Sequence, residues 1–549
     1  MALSSQHQRA ASFGTLPPEL QQNIFNHLAG DVASLSAAIH VSKICYKCCV
    51  GMLWRSSTQK SLAKVSTPAR RQYHANMICD WILDLDCAWK LFDGLEFPLL
   101  KSISFSGGSL SVTQLHHWLQ RGLQSIRFVR CELDAATLFT IGTCCTQLQE
   151  LEMNSPDTTH LPPDQFMRLL RSFPALRRLR LEEIAKNIAD KIFAWKGKSV
   201  AQLEVLSLTD TYGTSYSREP RNDFLKRCTG LRELYLDRAD LLSADVLTQL
   251  SGQTSLEVLH LGGWTEGDVL EQVKQQNLEG TLVSRPFPSI KKLSLEGYAS
   301  EVKDLFFDMP TTLVDLNLKV HESRSDNDYS ICLPISRLSN LVRLSIRFDH
   351  SRILTRTDLD LISELPNLQK CHINQELPYC SAAWGDQSDD DEPWDDEAWN
   401  YEAYDDESYD DEPSYRDQPW FTDRYFKDWI YKLPRLRDLS LDLHSSTISH
   451  LSLQFLADSC PLLTECHLGW KHDLLSWTCL KSHLFPNLLA LSLDTVKDHG
   501  YQESQATIDE DARRDAKVIW DLAPDLRSFQ IESRHRHERA LMAAFRAGT

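Results

Sequence analysis

Apolar positions return along this chain in one short register: an apolar residue, two variable ones, an apolar residue, one variable, an apolar residue. Strict copies, with leucine in all three places, start at Leu176, Leu203, Leu231, Leu256, Leu313, Leu436 and Leu488. Relaxed copies, with Ile, Phe, Met or Cys substituting, start at Leu100, Leu123, Leu148, Ile290, Leu341, Leu368, Leu463 and Leu526. With 82 leucines in 549 residues, chance supplies about two strict copies where seven stand. Eleven of the fourteen steps between successive starts fall between 23 and 28 residues. Strand alternation turns the second and third apolar residues of each copy inward and the residues between them outward. Between copies, the stretches 134–145, 164–173, 243–252 and 450–460 place apolar residues at helical spacing.

A strand and a helix repeating at this period are the signature of a leucine-rich repeat. The pattern predicts an α/β fold: an N-terminal three-helix unit, then a curved solenoid with parallel strands on its concave face and helices on its convex face. The solenoid is expected over 97–535. Residues 58–96 read as a helical linker and first cap, because Trp81, Leu85 and Trp89 stand at four-residue steps and an open solenoid end would expose core. Residues 536–549 read as a C-terminal tail or cap. Three repeats carry a cysteine three residues before the first leucine, at Cys145, Cys228 and Cys460, and Cys371 and Cys466 replace the second leucine. All five are expected in the core, where free cysteine is common.

Upstream, 15–57 has a different period. Pro17 and Pro18 stand where a helix begins, Leu20, Ile24, Phe25 and Leu28 make one helical stripe, Asp31 caps a second helix, and a third runs from about Ser42 to Trp54. Three short helices bury too little alone, so a partner is their natural completion. The stretch resembles an F-box in Leu16-Pro17-x-Glu19-Leu20, Ile24-Phe25, Leu28, Asp31, Leu35, Val41-Ser42-Lys43 and Leu53-Trp54-Arg55. The cysteine-containing repeats are likewise similar to those of F-box proteins.

Charge changes the picture at one place. The net charge is −18, yet residues 386–412 hold fifteen Asp or Glu and no Lys or Arg. Segment 378–419 is expected to be an acidic disordered insertion within one repeat: a solvated loop, a docking strip for a basic partner, or a mask for basic strand residues. It lacks the ligand spacing of a calcium loop. The near-neutral remainder gives no support to nucleic-acid binding. Residues 1–14 are polar and expected to be disordered. No signal core or spanning stretch stands out, and fifteen scattered cysteines suit a reducing compartment, so cytoplasm or nucleus is expected and no membrane partner. No phosphate loop, nucleophile elbow or zinc-protease motif is present, and Cys45-x-x-Cys48-Cys49 lacks a second ligand pair. His535 and His537 read as a solvated charged face, and Gly262, Gly263 and Trp264 as a turn after a strand. No catalytic residue, metal or cofactor is expected.

The F-box resemblance implies the substrate receptor of a Skp–cullin–F-box (SCF) ubiquitin ligase. It implies that Leu16, Pro17, Leu20, Ile24, Phe25 and Leu28 meet the Skp adaptor and, through it, cullin. Such a subunit is not an enzyme; it acts by raising the local concentration of substrate near charged ubiquitin. Candidate substrate readers are outward strand positions: Arg178, Arg180, Tyr235, His260, Lys292, Arg343, Arg347, Lys370 and His372. Arg178 with Arg180 and Arg343 with Arg347 form basic spots suited to an acidic or phosphorylated segment, or are ordinary solvated surface. The alternative is a leucine-rich-repeat scaffold with no ligase role.

Overall fold

The computed structural model describes residues 13, 16–28, 30–85, 91–110, 112–116, 118–157, 161–209, 218–237, 244–262, 287–298, 309–321, 330–348, 354–375, 420–443, 448–496, 505–531 and 536–548. The acidic insertion, Trp89, Gly263, Trp264, His535 and the N-terminal tail other than Phe13 lie outside the described residues. The chain divides into two compact units, Met1–Gln249 and Leu250–Thr549.

The first unit opens with helices α1 (Pro18–Asn26), α2 (Val32–Ala38) and α3 (Lys43–Arg55). Pro18 occupies the first turn of α1, where its missing N–H leaves nothing unsatisfied. The Asp31 carboxylate accepts from Ser34 N at 3.0 Å and so caps α2. Ser42 caps α3 by accepting from Cys45 N at 3.1 Å. Strand β1 (Ser56–Thr58) follows α3 with no residue between, and helices α4 (Gln59–Ala63) and α5 (Pro68–Ala75) lead to β2 (Asp80–Asp84). Then come β3 (Ser102–Ser106), β4 (Ser125–Val129), β5 (Glu150–Asn154), β6 (Arg178–Glu182), β7 (Val205–Thr209) and β8 (Glu233–Leu236). Each pairs in parallel with the next, so equivalent repeat positions stand side by side.

The second unit repeats the plan with β9 (Val258–Leu261), β10 (Lys292–Tyr298), β11 (Asp315–His321), β12 (Arg343–Phe348), β13 (Lys370–Gln375), β14 (Asp438–Asp442), β15 (Glu465–His472), β16 (Ala490–Val496) and β17 (Ser528–Ile531), also parallel. Helices Gln505–Leu522 and Arg536–Gly548 close it, with Trp520 stacked on Phe545 at 4.5 Å between ring centroids.

The fifteen copies of the apolar pattern start just before the fifteen strands β3–β17. All three leucines of every strict copy are buried. At about 1.5–3 kcal/mol for each buried large aliphatic side chain, these rows of stacked leucines are the main cohesive term. Helices Ala135–Cys144, Pro163–Arg171, Ala244–Ser251 and Leu451–Ser459 stand where helical spacing placed them. Cys145, Cys228, Cys371, Cys460 and Cys466 are buried. The thiol of Cys228 donates to the Phe224 carbonyl and that of Cys460 to the Leu433 carbonyl, both at 3.4 Å. Burial pushes the thiols of Cys145, Cys228, Cys371 and Cys460 up to about 12, so they pack as small apolar groups.

One expectation is overturned. The helix expected around Trp81 and Leu85 is not there: Asp80–Asp84 is β2, and the repeats begin at β1 rather than at residue 97. Ile78, Trp81 and Leu83 are a sixteenth copy of the pattern, all buried, with tryptophan where leucine was sought. These positions make a leucine-rich-repeat fold of strands on one layer and helices on the other.

Candidate functional site

Two surfaces offer chemistry. The first is the helical unit. Its small core is Phe25, Leu35, Cys45 and Cys49, joined by Phe13, whose ring meets Phe25 edge-on at 5.3 Å. The buried Gln21 amide donates to the Leu16 carbonyl at 2.8 Å and to that of Phe13 at 3.2 Å, tying the incoming chain to α1. Outside this core, apolar side chains face solvent: Leu20 is 50% exposed, Ile24 45%, Val32 66% and Val41 75%, and Ile44 joins them. Pro17 is exposed and Leu16 half-buried. Two of the residues expected at the adaptor contact are elsewhere. Phe25 is core, and Leu28 packs against that core, because Gln21, Phe25 and Leu28, at i, i+4 and i+7, share the inward face while Leu20 and Ile24 lie off it. Val32, Val41 and Ile44 are not among the residues expected at the adaptor contact, although Val41 is part of the F-box resemblance; their apolar character off the buried stripe is the available signal.

The unit is joined to the repeats by a ring stack and hydrogen bonds. Trp54 near the end of α3 stacks on His74 of α5 at 4.2 Å, Cys79 N donates to the Arg55 carbonyl at 2.8 Å, and Ser56 Oγ donates to Asp80 at 2.8 Å. Burial lowers the His74 pKa, and the nearby Arg70 charge adds to this.

The second surface is the open side of the strands. In the first unit, Arg180 bridges Glu150 at 3.2 Å and Glu233 at 3.3 Å, reaching across β7, where its register partner is the small Ser207 and Val205 beside Glu233 is buried. Arg178 lies 3.9 Å from Glu150, and the Tyr235 hydroxyl donates to Glu233 at 3.4 Å. Burial raises the Tyr235 pKa, with the Glu233 charge adding to it. A groove of about 540 Å³ runs along the strand entrances, lined by Lys101, Gln124, Gln149 and Arg177 beside a floor of Ser102 and Ser125.

In the second unit, Arg343 meets Asp315 at 2.9 Å. Two carboxylates each hold a lysine and a histidine two residues apart on a neighbouring strand. Glu296 takes Lys319 at 2.7 Å and His321 at 3.0 Å; Asp438 takes Lys370 at 2.7 Å and His372 at 2.9 Å. Burial works against the Asp438 anion, but hydrogen bonds from His372 and Lys370 prevail and lower its pKa. The same contact raises that of Lys370. Lys292 is exposed at the start of β10, Arg347 is exposed on β12, and His260 on β9 stands beside Ser294. The expected basic spots at Arg178/Arg180 and at Arg343 are therefore ladders of paired charge, since parallel register brings a carboxylate beside them from a neighbouring repeat.

Among the described residues no group of three or more His, Cys, Asp or Glu is arranged to hold a metal ion, and no helix is long and apolar enough to cross a membrane.

No protein-family model matches this chain, and no curated protein matches it. Solved structures similar to it include the crystal structure of the Rad7 and Elc1 complex of yeast, with 15% identity, a TM-score of 0.40, and cover of 90% of this chain and 96% of that one. An internalin from Listeria monocytogenes follows with 11%, 0.31, 87% and 94%, and a leucine-rich-repeat protein of Leptospira interrogans with 17%, 0.32, 87% and 91%. The fold assignment itself rests on the register of the strands.

Proposed function

We propose that this chain is the substrate-recognition subunit of an SCF-type ubiquitin ligase. Its helices α1–α3 dock the Skp adaptor and, through it, cullin, and its strand faces hold a protein substrate. The subunit carries no chemistry of its own; it works in the cytoplasm or nucleus by holding substrate near charged ubiquitin. One observation supports this most: the helical unit completes a small core and still exposes Leu20, Ile24, Val32, Val41 and Ile44. Large aliphatics left in water around a finished core mark a contact surface.

The test is co-purification of the full chain with the Skp adaptor and cullin, beside a Leu20→Ala/Ile24→Ala variant. Both positions are exposed, so the variant keeps its fold. Capture of the adaptor by wild type and its loss in the variant is the expected result. A folded wild type that captures nothing sinks the ligase reading and leaves the repeats as a protein-binding scaffold.

A further inference from the structure

The open strand face of the second unit is divided in charge. On β10–β13 it presents five cations, Lys292, Lys319, Arg343, Arg347 and Lys370, against two carboxylates, Glu296 and Asp315. On β14–β17 it presents Asp438, Asp442, Glu465 and Asp494, while Lys471 of β15 is the one lysine or arginine in these strands. The sign changes between β13 and β14, where Lys370 stands opposite Asp438. Pairing along the rows satisfies individual groups but leaves each half with a net charge, and these are of opposite sign.

The acidic half also has room. A groove of about 280 Å³ lies over β14–β17. Small residues, Ala490, Ser492 and Ser528, line it, and Asp438 and His372 stand at one end, Gln530 at the other. Glu465 borders it, exposed and with no ion pair among the described residues. A long side chain with a cationic head fits this description: its stem lies over the small residues and its head reaches Glu465, bidentately in the case of arginine.

Taking the strand face as the substrate surface proposed above, we propose that it reads an extended partner segment of divided charge. A lysine or arginine of the segment enters the β14–β17 groove beside Glu465, and acidic residues of the same segment lie over β10–β13. The two charges are about 14 Å apart if they sit over β12 and β15, or about four residues of extended chain.

The test uses the full chain and fluorescein-labelled peptides followed by anisotropy at low salt. The first peptide has a run of glutamates, a glycine–serine spacer of about four residues and two arginines. The second has the same composition with the charges alternated, and the third has glutamine for both arginines. The first should bind tightest. Glu465→Gln, at an exposed site, should weaken it about three- to fivefold and abolish its advantage over the glutamine peptide. Equal binding of the three peptides, or no effect of Glu465→Gln, overturns the proposal. Binding that emerges only after deletion of residues 386–412 assigns the cationic half to this chain's own acidic segment and also overturns it. Adaptor capture by Glu465→Gln keeps the readings separate. Peptide binding lost with capture intact concerns the groove, and capture absent with peptide binding intact concerns the ligase role.

Discussion

The helical unit and the repeats treat the same kind of residue in opposite ways. In the repeats, every leucine of the strict copies is buried, and each strand finds the next to cover its edge. In α1–α3, a core of four buried residues is finished while Leu20, Ile24, Val32 and Val41 stay in water. A repeat is completed by its own neighbours along the chain; a three-helix unit has none, so its remaining apolar surface is left for something else. Exposed large apolar residues occur singly along the repeats as well, Phe139 at 74% among them, but in α1–α3 five stand between Leu20 and Ile44, and that density is what is informative.

The comparison breaks first in the core. Leu441→Ala, at a fully buried strand position, should lower stability by about 2–5 kcal/mol in urea unfolding of the full chain. Leu20→Ala/Ile24→Ala should differ from wild type by no more than about 0.5 kcal/mol. A large loss from that pair would mean that α1 packs them inward and that the contrast is false. Asp438→Asn comes next, at about 1 kcal/mol, since Lys370 rehydrates once released. The sign of its pH dependence is fixed by the lowered pKa of Asp438. The contribution is present above the ordinary carboxylate value of 3.8 and is lost as pH falls through the lower folded value. The stability difference between wild type and Asp438→Asn should therefore hold from neutral pH to about 4 and shrink below it. Arg343→Ala should cost least, under about 1 kcal/mol, and that cost should fall as salt is added.

Much of this was legible in the sequence. The leucine spacing gave fifteen strands their places because burial of alternate residues is a local rule. The caps at Asp31 and Ser42 were legible for the same reason: a cap bonds three residues ahead. Strand β2 was not, because Trp81, Leu83 and Leu85 alternate while Trp81, Leu85 and Trp89 stand four apart. A run so short satisfies both periods until its neighbours decide. Burial of Phe25 depended on how α1 rests against α3, which periodicity alone leaves open. The charge ladders were hidden for a different reason. Lys370 and Asp438 are 68 residues apart in sequence, and only the parallel register makes them neighbours.

The junction at Arg55–Ser56 acts as a compass bearing rather than a tether. Helix passes into strand there without an intervening residue, and Trp54 is clamped on His74. Adding one residue near the end of α3 would lengthen nothing useful; it would turn the exposed face of α1–α3 by about 100° about the α3 axis. Whatever that face holds would then point away from its former direction while both surfaces stayed intact. Direction at this joint is written into the phase of a single helix.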